Sequence, residues 1–414
     1  YDGDDGILLR HIYYTELVSD NAEHTGSFPS WLRLAQHDPD ATNAEARETW
    51  LGAYYMINVC NNVIAYVPDI NEEGFTDAAK NGLIGQAEAL RAYTYFMLMQ
   101  WWGGADGGAT VGGTKLGVPL VLEPTEGITE ASKVERAPAQ QVWDQIKTDL
   151  EAAAQKLSGG ASGSPFITGD AVNALLARVH LDAASKGISG FSYGDAETFA
   201  QTVIGSGNYS LAASYSDIFT GAQGSSESIW EVQFSSEDQN FLSFWALPNG
   251  EGGRREYAPS TNFTSNAEAN DARMTTNVNT VAGTEVLGKY FRTDYSDNIV
   301  AIRLAEMHLI RAEALVQQDF ANNKGAALDE VDAVRARAGL AGVDRNAITN
   351  VSEAMDVIMK ERRYELSQEG HRWHDLVRTG RAVSDLGVAA AKTRWPIPQR
   401  DMDANPNLVQ NPTY

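Results

Sequence analysis

Between Ile84 and Trp101 the apolar side chains recur in steps of three and four, at Ala87, Leu90, Tyr93, Met97 and Trp101. Only a helix gathers that spacing on one face. The same steps run through Ile302, Ala305, Leu309, Ala312 and Val316, and again through Leu328, Val331, Val334 and Ala338. With the turn-like Asn322-Asn323-Lys324-Gly325 between them, these two runs predict a helical hairpin. Further helices are predicted at about 44–67, 139–157, 170–184, 196–204 and 353–368, the last stopped by Gly370. Faces such as Ala171, Ala174 and Ala177 suit close packing of one helix on another, as in tetratricopeptide pairs. The intervals between pairs are irregular, so the pattern is repeat-like rather than periodic.

The pattern changes between Tyr209 and Gly288. Trp230, Val232 and Phe234 alternate with polar neighbours, so 229–234 is predicted as a short strand. The stretch after it is loop-rich, centred on Leu247-Pro248-Asn249-Gly250-Glu251-Gly252-Gly253, and long loops in a compact helical protein are often functional. A second glycine-rich loop is expected at 103–117, and the proline-punctuated tail from Arg394 is expected to lie across the surface. The fold class is therefore mostly α: a tetratricopeptide-like helical superhelix with an irregular, loop-rich lobe containing a few short strands. The 414 residues are expected to form one unit, with a helical scaffold at about 44–204 and 300–380, a ligand-binding lobe at about 209–290 and an extended tail at 394–414.

Charge narrows the partners. With 55 acidic and 32 basic residues the chain carries −23, which repels nucleic acid and anionic lipid and favours a neutral ligand. Cys60 is the single cysteine, so no intrachain disulfide or cysteine-rich metal site can form, and its place in a helical run predicts a small buried apolar residue. No apolar run approaches the length of a membrane span, and the start, Tyr1-Asp2-Gly3-Asp4-Asp5, lacks the basic and apolar segments of a signal peptide. Either the protein stays in the cytosol or an export segment precedes Tyr1 in its precursor.

Common catalytic frameworks are missing: there is no phosphate-binding Gly-x-x-x-x-Gly-Lys-Ser/Thr, since Gly283–Lys289 is followed by Tyr290, and no Gly-x-Gly-x-x-Gly, while the Gly-x-Ser-x-Gly spacing at Gly190–Gly194 lies between predicted helices and not after a strand as a nucleophile elbow does. His371 and His374 lie three apart, but Arg372 and Trp373 fill the gap where a zincin needs a glutamate, so no metal or cofactor is expected there. Asp2, Asp4 and Asp5 resemble calcium ligands only in their closeness, and a solvated acidic terminus accounts for them. A glycosidase needs just two carboxylates at a set separation, which 55 acids neither supply nor exclude.

The most specific signals lie towards the carboxy terminus: Lys360-Glu-Arg-Arg-Tyr-Glu-Leu366, Glu369-Gly-His-Arg-Trp-His-Asp-Leu-Val-Arg-Thr-Gly380, Trp395-Pro-Ile-Pro-Gln-Arg-Asp401, Asn405-Pro-Asn407 and Gln410-Asn411-Pro412. Upstream stand Arg303-Leu-Ala-Glu-Met-His-Leu-Ile-Arg-Ala-Glu-Ala314, Val334-Arg-Ala-Arg-Ala-Gly-Leu340, Glu88-Ala-Leu-Arg-Ala-Tyr93 and Glu16-Leu-Val-Ser-Asp-Asn21. In this order and over nearly the whole chain they resemble the SusD/RagB family of outer-membrane glycan-capture lipoproteins. The resemblance implies non-catalytic binding of oligosaccharide or polysaccharide at the cell surface and delivery to a SusC-like TonB-dependent transporter. It also implies a lipid anchor as the sole tie to the membrane, although the family's signal peptide and lipidated cysteine are missing here. His374 departs from the aromatic expected at its position, which argues for a packing role. Glu365, Arg372, Asp375 and Arg378 sit at helical spacings that suit ion pairs between helices, so they report the fold and not the ligand.

Sugar rings stack their C–H faces on aromatic side chains, while their hydroxyls bond to planar polar groups. Of nine tryptophans, Trp50, Trp101, Trp102, Trp143, Trp230, Trp373 and Trp395 fall in helices, the strand or family motifs and are expected in the core. That leaves Trp31, in an apparent loop with Phe28 and Arg33, and Trp245, which opens the glycine-rich loop ahead of Asn249, Arg254, Arg255 and Tyr257. In the resembling family the site draws on these same two regions, an early loop and the central lobe. The charge favours a neutral β-glucan such as laminarin; Arg254 and Arg255 keep a uronic-acid glycan such as alginate as the alternative. A glycosidase and a peptide-binding scaffold are the competing readings from other classes.

Overall fold

The computed structural model describes residues 6–104, 108–127, 129–220 and 224–414; the acidic positions Asp2, Asp4 and Asp5 lie outside them. The fold is mostly helical with a few short strands. Ala44–Tyr66, Asp77–Trp102, Ala139–Lys156, Gly169–Ser185, Tyr193–Gly205 and Val351–Glu365 form where the apolar periodicity puts them. Most start at a side-chain cap: Asn43 accepts from the Glu45 and Ala46 N–H groups, Thr76 from Ala79, Thr168 from Ala171, Ser192 from Asp195 and Asn350 from Glu353. Ala171, Ala174 and Ala177 are fully buried, as close helix packing requires. Among the described residues no helix is long and apolar enough to cross a membrane.

The expected hairpin is present, with its break displaced. Leu304–Arg337 is helical except at Asp319 (φ −161°, ψ 89°), whose carboxylate accepts from the Asn322 backbone N–H at 3.2 Å and so caps the second arm. The arms fold together, burying Leu309, Ala312 and Val316 against Leu328, Val331 and Val334, and the His308 ring meets Glu330 at 2.5 Å. Ile302 is not helical: Ile299–Arg303 is a strand that pairs antiparallel with Ser228–Val232, the strand expected at 229–234.

Two further expectations are corrected, and one helix was not foreseen. The loop at 103–117 contains Thr110–Val111, which pairs with the start of Thr114–Pro119, and that second strand pairs in turn with Arg136–Pro138. The tail lies at the surface over most of 399–414, but its start is buried at Arg394, Trp395 and Ile397, and Asn411 anchors it, its amide donating to the Trp102 and Trp395 carbonyls at 3.1 and 2.8 Å. Prolines confine helix in this segment to Gln399–Ala404, which Pro398 opens, and side chains such as Gln410 and Asn411 satisfy neighbouring backbone groups. Ile7–Leu17, absent from the sequence reading, is a helix with every residue buried, and its apolar side chains join a core that reaches Leu408.

A buried ionic network ties lobe to scaffold. Arg303 bonds Glu227 and Glu369, both at 2.7 Å, and Glu365 at 2.5 Å. Arg273 bonds Asp271 at 2.7 Å and also Glu361 and Glu365, while Arg337 bonds Glu227 at 2.8 Å and Glu365. Burial works to raise the Glu365 carboxyl, but Arg337, Arg303 and Arg273 hold it well below the usual range. Arg372 pairs with Asp20, Asp375 with Arg362 and Arg378 with Glu313. The family-motif residues are thus framework ion pairs, as their spacing indicated.

Candidate functional site

Two distant segments meet through a short antiparallel ladder, Ala22–His24 against Tyr257–Pro259. Beyond it the chain at 25–28 is held by one carboxylate. Glu256, 1% exposed, accepts from the backbone N–H groups of Ser27 at 3.0 Å and Phe28 at 3.1 Å, and its carbonyl accepts from Thr25 and Gly26. A Cβ at position 26 would stand 2.0 Å from the Glu256 Oε2, so only glycine allows this approach.

Phe28 is thereby fixed beside the lobe. Its ring centre is 4.1 Å from the Arg254 guanidinium and 6.1 Å from the Trp245 ring. Trp245 sits in the one-turn helix Leu242–Ala246, and the loop after it is closed by backbone bonds from Arg254 to Phe244, Arg255 to Leu247 and Glu256 to Trp245. Phe244 packs edge-on to Trp245 at 5.1 Å, and Phe241 stacks on Tyr295 at 4.7 Å with 26° between the planes. The Tyr295 hydroxyl donates to the Gly252 carbonyl. Phe28, Trp245, Phe244, Phe241 and Tyr295 therefore form a continuous ribbon of half-buried rings.

Trp31 has a different place from the one expected. Pro29 opens a helix, Pro29–Ala35, that turns Trp31 into the core at 1% exposure. There it stacks on Tyr13 at 5.1 Å and lies 5.2 Å from Trp245 and 5.9 Å from Tyr257. Tyr257, on the ladder, is buried as well. Both rings are buried; Trp31 supports Trp245 from beneath, and Tyr257 packs on Trp31. Arg33 is exposed but engaged with Asp38 at 3.2 Å and Asp40 at 2.8 Å, and Asn249 is exposed in the loop after Trp245. The seven tryptophans expected in the core are all buried.

The sequence reading missed Phe241, Phe244 and Tyr295. Phe241 stands three and four positions before Phe244 and Trp245 in Phe241-Leu-Ser-Phe244-Trp245, a readable signal. Tyr295 carries no such signal, because its approach depends on left-handed backbone at Phe241 (φ 53°) and at Tyr295 itself (φ 56°).

Chemically, the ribbon can stack apolar ring faces and donate hydrogen bonds from Arg254, which is 41% exposed. Glu256, the carboxylate beneath it, is committed to backbone donors. Among the described residues no His, Cys, Asp and Glu cluster is placed to hold a metal. His374 instead stacks on His11 at 4.8 Å and meets Trp101 edge-on, a packing role.

Comparison with known proteins agrees with this architecture. A family model described as "Starch-binding associating with outer membrane" matches residues 5–181. A SusD-like protein of Formosa agariphila is 27% identical, covering 98% of this chain and 87% of its own. A SusD superfamily protein from Parabacteroides distasonis superposes with a TM-score of 0.83 at 23% identity, covering 98% of this chain and 93% of that one. A laminarin-binding SusD-like protein superposes at 0.76, also 23% identical, over 99% and 97% of the two chains. The SusD family model itself matches residues 181–389, half of the chain, and with the motifs and fold above this places the protein in the SusD family.

Proposed function

We propose that this protein captures a glycan at the outer surface of a bacterial outer membrane, stacks it on the Phe28–Trp245–Tyr295 ribbon and passes it unaltered to a TonB-dependent transporter. A lipid anchor holds it at the membrane. The ribbon is the observation that carries the reading: five half-buried rings in a row, backed by buried Trp31, match the repeated apolar faces of a polysaccharide.

A neutral β-glucan such as laminarin fits best. The cations around the ribbon are largely offset: Arg33 by Asp38 and Asp40, Arg292 by Asp294 at 2.8 Å, and Arg254 by Glu256 at 3.5 Å. The exposed guanidinium of Arg254 supports the alternative, a uronic-acid glycan such as alginate, whose carboxylate would displace Glu256 as its partner.

Affinity electrophoresis through gels containing laminarin, starch, xylan or alginate, with product analysis alongside, tests this. Retardation by a neutral glucan with no new reducing ends is expected. Retardation by alginate alone, lost on raising the salt, would transfer the reading to the uronic acid. New reducing ends would make the protein a glycosidase, and indifference to every glycan would favour a peptide scaffold.

A further inference from the structure

Beyond Tyr295 the ribbon adjoins a cleft of about 300 Å³ that includes none of its rings. Three rings line it, Phe219, Phe234 and Phe291, together with Arg292, Asp297 and Asn298. Its volume is at the lower end of the roughly 300–1,000 Å³ usual for small-ligand sites. The same backbone builds both places. Gln239 donates to the Asp294 carbonyl at 3.0 Å, Asn240 to the Asp297 carbonyl at 2.5 Å, and the Ser243 hydroxyl to the Arg292 carbonyl at 2.7 Å. These bonds staple the segment that carries Phe241 to the loop that carries Tyr295 and Asp297.

The polar groups of the cleft are incompletely used. Asp297 is 4% exposed, and its Oδ2 accepts from the Arg292 N–H at 2.9 Å, yet its Oδ1 has no partner among the described residues. Burial pushes this carboxyl up to about 6, the sign of a carboxylate short of donors. Asn298 accepts from the Phe234 N–H at 3.1 Å, and its side-chain amide N–H groups have no partner among the described residues. An unfilled acceptor beside an unfilled donor, framed by aromatic rings, suits vicinal hydroxyls, which donate and accept together. An anionic ring would meet the Asp297 and Asp294 carboxylates, and the guanidinium of Arg292 is already taken by Asp294.

We infer that this cleft is a second saccharide subsite, holding an uncharged pyranose unit of the chain laid along the ribbon, with Asp297 and Asn298 bonding its hydroxyls. The inference rests on the capture reading above and extends it: affinity then depends on oligomer length.

Calorimetric titration of the full chain with short and long β-1,3-glucan oligosaccharides tests it, using Asp297→Asn, Phe234→Leu and Trp245→Ala. Both cleft variants should bind the long oligomer about tenfold more weakly, as expected when one hydrogen bond to a charged group or one stacking face is lost, and should bind the short one like the parent. Trp245→Ala should weaken both lengths. Phe234→Leu keeps an apolar side chain at its site and guards against a folding effect of Asp297→Asn. Unchanged binding of the long oligomer in both cleft variants, or equal losses at both lengths, would overturn the subsite while leaving the ribbon intact. Binding of neither length by the parent would bring down the capture reading first, and the subsite with it.

Discussion

Trp31 and Trp245, from opposite parts of the chain, pack with ring centres 5.2 Å apart and 37° between their planes. One is sealed in the core and the other is half-exposed, so the pair is a support and its platform. Their contact exists because Glu256 holds the 25–28 loop against the lobe. Removing either ring should disturb glycan binding, but for different reasons.

Trp31→Ala leaves a cavity in a close-packed core and should cost about 3–5 kcal/mol of stability, with binding lost as a consequence. Trp245→Ala should cost under about 2 kcal/mol and yet abolish retention by glycan. Urea denaturation measured beside affinity electrophoresis separates the two. Equal stability of both variants would mean that Trp31 does not carry the platform.

Gly26→Ala places a methyl 2.0 Å from the Glu256 Oε2 and 2.6 Å from its Cα, so the loop must move away. A loss of about 1–3 kcal/mol is expected, with weaker glycan binding as Phe28 leaves the ribbon. Binding calorimetry on the purified variant checks it, and parental affinity would show that the position of Phe28 is immaterial.

Glu365 faces three guanidiniums inside the protein. Glu365→Ala strands them without their shared anion and should destabilise by about 3–5 kcal/mol, whereas Glu365→Gln, which keeps the hydrogen-bond acceptor, should cost less. Denaturant midpoints order the two, and the reverse order would count against an electrostatic role.

Five imidazoles have depressed protonation, His11 to about 3, His37 and His180 to about 4, and His371 and His374 well below 6.5, in each case chiefly through burial. In the unfolded chain they take up protons more readily, so their contribution is complete above about pH 6.5 and declines as the pH falls towards 4. Glu16, raised by burial to about 7, and Asp297, raised to about 6, act in the opposite sense and only soften the decline. His374 packs against His11, with the charges of Lys186 and Arg394 nearby, and both its ring nitrogens are unpartnered. His374→Phe should therefore flatten the slope of stability between pH 6.5 and 4. A parallel slope in the variant would exclude His374 as a contributor.

Much of this architecture is legible in the sequence, because helix periodicity and caps are local. The paired charges of the carboxy-terminal motifs were also readable, since helical spacing places Asp375 and Arg378 on one face. Long-range effects were not. Pro29 reads equally as a loop residue and as the first residue of a helix, and only packing against Tyr13 decides that Trp31 turns inward. The left-handed backbone at Phe241 and Tyr295 has no signature in those residue types, so the far end of the ribbon was invisible. The start of the tail misled because prolines carry no sign of burial: Pro398 opens the helix Gln399–Ala404, and only packing shows that Arg394, Trp395 and Ile397 lie inside.

The most direct test of the central claim is calorimetric titration of laminarin oligosaccharide into the purified protein and into Trp245→Ala. Saturable binding by the parent, absent in a variant that remains folded, is the predicted result. Undiminished binding by folded Trp245→Ala would contradict the account, because the ribbon would then not be where the glycan rests.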